Sequence, residues 1–240
     1  MTITRRHLLL ATPAALGACA GLPPAVPAGL APGEQRPWEL EGERLWVALP
    51  TDYAQRPARW PLLVFLHGSG ERGTDLAKVK VHGPPRLIGE GAAYPCIVAS
   101  PQLEEGARWN PQRLHRLLAG LQARLHVDPQ RCLGTGLSLG GFGVWEWATA
   151  YPEDLAAIAP ICGYGDPAKV AAMRRVPVRA YHGDRDTVVP LAPHQACIEA
   201  LRAAGGTGSL TVYPGVGHDS WTPAYQDPGL LPWLLAQRQT

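Results

Sequence analysis

Lysine is almost missing from this chain. Only Lys78, Lys80 and Lys169 occur among 240 residues, and arginine supplies the rest of the 22 basic side chains. That skew reads as the codon bias of a GC-rich genome rather than as chemistry. Against 20 acidic residues the net charge is only +2, which offers no case for a nucleic-acid partner. The apolar stretch Leu8 to Gly17 is shorter than the about twenty residues that a bilayer-spanning helix needs. No internal repeat is present. The eight histidines are scattered, with no i, i+4 pair beside a carboxylate, so neither a metal nor another cofactor is expected. Serine is scarce too, with five in the whole chain, and one of them stands in the most informative segment.

Residues 1–19 read as an export signal. Thr4-Arg5-Arg6-His7-Leu8-Leu9 resembles a twin-arginine motif, and Leu16-Gly17-Ala18-Cys19 has the form of a lipoprotein cleavage site. On that reading Cys19 is acylated and anchors the chain to a bacterial membrane, facing the periplasm or the exterior. Cleavage at the small-x-small segment Ala18-Cys19-Ala20 is the competing reading and would leave a soluble periplasmic protein. Residues 20–37 are mostly Pro, Gly and Ala, which reads as a tether of up to ~50 Å when extended. Residues 38–240 are enough for one α/β domain with a full core. Export to an oxidising compartment permits disulfides among Cys96, Cys132, Cys162 and Cys197. Mostly free, buried thiols are expected, with Cys162–Cys197 the pair to test.

Within that domain short apolar runs alternate with helical stretches. Strands are expected at Arg44–Leu49, Leu62–Leu66, Cys96–Ala99, Arg131–Thr135, Ala156–Ile161, Val178–Tyr181 and Leu210–Tyr213. Helices are expected at Pro84–Glu90, Pro111–Leu125, Gly141–Ala150, Pro193–Ala204 and Pro228–Gln237. Leu62 to Leu66 is continuously apolar, as a strand buried on both faces should be. The alternation predicts an α/β class fold: a doubly wound, mostly parallel sheet with helices on both faces. Such sheets gather active groups at the carboxyl ends of their strands.

Four of those strand ends carry chemistry. Gly136-Leu137-Ser138-Leu139-Gly140, between a strand and a helix, has the form of a nucleophile elbow. A Cβ at position 136 or 140 would collide with strand or helix, and the Leu139 N–H points where an oxyanion would form. After Leu62–Leu66 comes His67-Gly68-Ser69-Gly70-Glu71-Arg72-Gly73, whose Ser69 N–H would complete the pair of oxyanion donors. His67 reads as a strand-end residue bonding the loop, and Glu71 with Arg72 as a local ion pair or a substrate contact. After Val178–Tyr181, Asp184 and Asp186 are both available to orient a histidine, and spacing alone does not choose between them. After Leu210–Tyr213, His218 lies in a Gly-flanked loop. The order Ser, Asp, His, each after a strand, is the order this architecture uses.

The segments L-H-G-S-G-E-R-G-T-D, V-H-G-P-P-R-L-I, S-P-Q, G-L-S-L-G-G, A-P-I-C-G, H-G-x-x-D-x-x-V-P and G-H-D-S-W together resemble an α/β-hydrolase serine esterase. The resemblance lies with the compact carboxylesterase/phospholipase-like group related to feruloyl and acetyl-xylan esterases and polyhydroxybutyrate depolymerases, over about residues 40–238. It implies Ser138 as nucleophile, His218 as base, Asp186 (the Asp of D-x-x-V-P) as triad acid, and Ser69 and Leu139 as oxyanion donors. It implies short-acyl or polysaccharide-linked aromatic or acetyl esters as substrates. Too few residues separate Ile161 from Val178 for a helical cap, so an open cleft is expected. Trp109, Tyr164 and Trp221 fall in strand-end loops and are either a substrate floor or loop packing; Trp145 and Trp147 read as core. A dienelactone hydrolase would have Cys in the elbow, a prolyl-oligopeptidase-like peptidase would bring a propeller, and a non-catalytic surface carbohydrate-binding protein would not need the triad.

Overall fold

The computed structural model describes residues 25–56 and 58–239. The export signal, Cys19 and the first part of the tether lie outside the described residues. One strand sets the plan of the fold. All seven residues of Trp60–Leu66 are buried, and successive side chains leave a strand on opposite faces. Leu62, Val64 and Leu66 accordingly enter one core, and Leu63 and Phe65 the other. Each such side chain stabilises the fold by about 1.5–3 kcal/mol when removed from water, so both faces must be covered.

The strands in chain order are β1 (Gln35–Leu40), β2 (Glu43–Ala48), β3 (Trp60–Leu66), β4 (Ile97–Pro101), β5 (Val127–Leu137), β6 (Ala157–Ile161), β7 (Val178–Gly183) and β8 (Gly208–Tyr213). They form one sheet in the order β1-β2-β4-β3-β5-β6-β7-β8. β1 and β2, and β2 and β4, pair antiparallel; every other pairing is parallel. The helices are α1 (Gly83–Gly89), α2 (Pro111–Arg124), α3 (Leu139–Ala150), α4 (Leu191–Ala203), α5 (Trp221–Gln226) and α6 (Leu230–Leu235). One face is covered by Leu117 and Leu121 of α2, Trp145 and Trp147 of α3, and Ile198 and Leu201 of α4. Ile88 of α1, Ala224 of α5, and Leu230 and Leu234 of α6 cover the other. This is the doubly wound α/β sheet that the sequence pattern predicts.

Two local expectations are corrected, the start of the domain and the place of Trp221. The domain starts before residue 38: Leu30 is buried, Gly33 N–H donates to Leu49 O at 2.9 Å, and β1 begins at Gln35. Pro37 is tolerated there because β1 is an edge strand, where a missing N–H need not cost a ladder bond. Trp221 opens helix α5 rather than lying in a loop. Cys96, Cys132, Cys162 and Cys197 are all buried and free; Cys197 Sγ donates instead to Gly165 O at 3.3 Å. The β6–β7 connection holds one 3-10 turn, Val170–Met173, and no helical cap among the described residues.

Candidate active site

The parallel strands β3, β5, β6, β7 and β8 point their carboxyl ends the same way, and the candidate residues follow them. Ser138 joins β5 to α3 with φ 50° and ψ −115°, a conformation that costs a non-glycine residue of order 1–3 kcal/mol. The surroundings hold it there. Its N–H donates to Ile161 O at 2.9 Å, and its carbonyl accepts from Phe142 N–H at 3.1 Å. Beneath the turn the β3 backbone comes so close to Gly140 that a Cβ would run into the Leu66 and His67 carbonyls. Only glycine lets helix and strand approach this far.

Leu139 is the first residue of α3, and Ser69 the first of the 3-10 turn Ser69–Glu71. Both N–H groups therefore lack an acceptor within their own turn. The loop that carries Ser69 is braced from below. His67, fully buried, donates Nδ1–H to Gly68 O at 2.6 Å and accepts from Leu103 N–H on Nε2 at 2.9 Å. Burial pushes its pKa down to about 4, against the Gly68 bond and with help from the Arg72 charge. His67 is thus a neutral strut. Arg72 donates to Ser69 O at 3.0 Å and Ala107 O at 3.3 Å. The Glu71–Arg72 ion pair does not form among the described residues. Glu71 is buried instead, with one oxygen 3.9 Å from His67 Nδ1 and the other 3.8 Å from His82 Nε2.

The histidine and the acid arrive from β8 and β7. His218 Nε2 stands 3.0 Å from Ser138 Oγ, and its Nδ1 stands 2.7 Å from Asp186 Oδ2. The Asp186 carboxylate is buried, and its other oxygen accepts N–H bonds from Val188 and Val189, both at 2.9 Å. Burial alone would raise its pKa, but the bonds from His218, Val189 and Val188 outweigh it and hold it below the usual carboxylate value. Asp184, the other acid that spacing left open, is exposed and accepts from Gly215 N–H at 2.7 Å. Hydroxyl, imidazole and carboxylate therefore form one hydrogen-bonded line, a geometry that can move a proton off the serine.

The three aromatic candidates part ways. Trp109 is 5% exposed, and its indole N–H donates to His67 O at 3.1 Å. It belongs to the core below the Ser69 loop and not to a substrate floor. Tyr164 is half-buried and meets Phe142 edge-on, with ring centroids 4.8 Å apart. Trp221 is half-buried, with its ring against His218 on one side and His82 on the other, 5.3 Å from each. One neighbour of the site has no sequence signal for its role. Cys162, at φ 39° just past β6, sits with its thiol within 4.8 Å of ligand atoms of Asp186 and His218. That trio is the one group of three candidate metal ligands among the described residues. Two of its members are already bonded to each other, and burial pushes the thiol pKa up to about 12.

Comparison with known proteins adds ancestry. The dienelactone hydrolase family matches residues 106–225, half of the chain and a stretch that contains Ser138, Asp186 and His218. Over 125 residues the chain is 30% identical to a Salmonella typhimurium protein named "Putative carboxymethylenebutenolidase", covering 46% of this chain and 45% of that one. A Methylorubrum extorquens protein of the same name is 33% identical over 127 residues, or 46% and 43% of the two chains. The match thus spans less than half the length of these relatives. A thermostable esterase superposes with a TM-score of 0.73 at 27% identity, over 86% of this chain and 63% of the other. A ferulic acid esterase gives 0.61 at 20% identity over 80% and 92%, a likeness of fold. Serine in the elbow, which the sequence sets against a dienelactone hydrolase, is thus no obstacle to that ancestry.

Proposed function

This chain belongs to the dienelactone hydrolase family, and from that premise we propose that it is a serine hydrolase of carboxylic esters. The single observation that carries the reading is the line from Ser138 Oγ to His218 Nε2 at 3.0 Å and from His218 Nδ1 to Asp186 Oδ2 at 2.7 Å. His218 takes the serine proton as Oγ attacks the ester carbonyl, and Asp186 fixes the Nε2-accepting tautomer and stabilises the imidazolium. The Ser69 and Leu139 N–H groups receive the developing oxyanion, each worth about 3–4 kcal/mol. The alcohol leaves with the proton from His218, and water repeats the sequence to free the acid. No cofactor enters these steps.

The substrates we assign are short-acyl esters, or acetyl and aromatic acyl groups carried on a polysaccharide. The lack of a helical cap between β6 and β7 among the described residues supports access for a bulky carrier. Tyr164 beside Phe142 and Trp221 beside His218 offer half-buried aromatic surface. Export and lipid anchoring at Cys19 belong to the same proposal, on the strength of the leader motif alone. The mass of the mature N-terminus tests that part.

The catalytic part is tested with p-nitrophenyl acetate. Wild-type protein should hydrolyse it, at a rate that rises from acid to neutral pH as general-base catalysis requires. Ser138→Ala should reduce turnover by about 10⁴-fold or more. Full activity in that variant refutes the assignment.

A further inference from the structure

Two imidazoles face the same carboxylate oxygen. His218 Nδ1 lies 2.7 Å from Asp186 Oδ2, and His182 Nε2 lies 3.3 Å from it. Only His218 reaches Ser138 Oγ. A proton taken up by His182 would put a second cation on Asp186 and weaken its hold on the imidazolium of His218. The carboxylate serves His218 alone when His182 carries no charge.

The hydrogen bonds show what keeps it so. His182 is fully buried at the end of β7, with Nε2 2.9 Å from Val189 O. A carbonyl can only accept, so Nε2 carries a hydrogen. In the neutral ring Nδ1 is then a bare acceptor, and the group that meets it is His194 Nδ1 of α4, at 2.9 Å. A bond between two ring nitrogens holds one hydrogen, and with His182 neutral that hydrogen comes from His194. His194 Nε2 is left bare and has no partner among the described residues, so no other bond dictates the tautomer. Burial pushes the His194 pKa down to about 3. The other titratable groups around the pair are Asp186, His218, Cys162 and, one turn along α4, Cys197. Burial keeps both thiols uncharged, with pKa values pushed up to about 12 and about 11.

We propose that His194 is a positioning residue: by donating Nδ1–H to His182 it locks that ring as the neutral Nε2–H tautomer and reserves the charge of Asp186 for His218. The same Nε2–H tethers the Val189 carbonyl, while the Val189 N–H bonds back to Asp186 Oδ1. The strut therefore also fixes the loop that presents the acid. This rests on the reading of Ser138, His218 and Asp186 as the catalytic line, and it adds to that line two residues that touch neither serine nor substrate.

The test compares His194→Leu, which cannot donate, with His194→Asn, whose amide N–H lies close to the position of Nδ1. Turnover of p-nitrophenyl acetate should fall about tenfold or more in the leucine variant, with KM little changed. The acid limb of its kcat/KM profile should move down by about half to one pH unit, because His218 loses part of its carboxylate. Asparagine should restore both. If the acid limb stays in place in both variants while their melting temperatures fall alike, the pair merely packs and the proposal is overturned. Should the leucine variant not fold, ¹⁵N spectra of the wild-type histidine rings decide the matter. A single hydrogen on His182 Nε2 at neutral pH is required, and an imidazolium or an Nδ1–H tautomer there overturns the proposal. A wild-type protein that cleaves no ester, yet shows the required His182 tautomer, would refute the catalytic reading and leave the lock intact.

Discussion

Trp221 stands edge-on to His218, with ring centroids 5.3 Å apart and planes at 89°. His218 sits in a loop that also holds Gly215 and Gly217, so its bonds to Asp186 and Ser138 and the Trp221 ring are what hold it in place. With the indole gone, the imidazole gains rotamers that leave the Ser138–Asp186 line. Trp221→Ala should lower kcat on p-nitrophenyl acetate about tenfold, and Trp221→Phe should keep most of the activity. An alanine variant with unchanged kcat would show that the contact positions nothing.

The two acids of the β7 loop should separate cleanly. Asp186→Asn leaves a side chain of the same shape but cannot hold the imidazole tautomer, so turnover should fall by about 10⁴-fold. Asp184→Asn changes an exposed group whose role is to accept from Gly215 N–H, and activity should stay within about twofold of wild type. Equal losses in both variants would contradict the choice of Asp186.

Much of this site is legible in the sequence because its parts are local. Gly136 to Gly140 spells a strand, a tight turn and a helix, and the apolar run of β3 announces a strand buried on both faces. The order Ser, Asp, His follows from the strand count, while the choice of Asp186 over Asp184 comes from the resemblance carried by D-x-x-V-P. What stays hidden depends on contacts between distant segments. β1 carries Arg36, Pro37 and Glu39, which argue against a strand until its position at the sheet edge is known. Trp109 reads as a loop aromatic until the His67 carbonyl appears beside its indole. The bond between His182 and His194 joins two elements twelve residues apart, and no local pattern marks it. Cys162 has no motif for its place beside the triad.

Two buried neutral histidines set the acid limit of stability. His67 and His194 have pKa values lowered to about 4 and about 3, against an ordinary 6.5. Below pH 6.5 the unfolded chain binds protons that the folded chain refuses, so stability rises with pH and falls on acidification. Each ring contributes up to about 1.4 kcal/mol per pH unit, over the window from 6.5 down to about 4 for His67 and about 3 for His194. Urea midpoints should therefore drop steadily between pH 6 and pH 4, and less steeply in a folded His194→Asn variant. A midpoint that is flat across that range would show that these rings are not held neutral.

The most direct test of the central claim is the site of covalent capture by a fluorophosphonate probe, read by peptide mass spectrometry. One adduct per chain on Ser138, formed rapidly by the wild type and lost in His218→Ala, is the predicted result. An adduct on another residue, or labelling of Ser138 at full rate without His218, would contradict it.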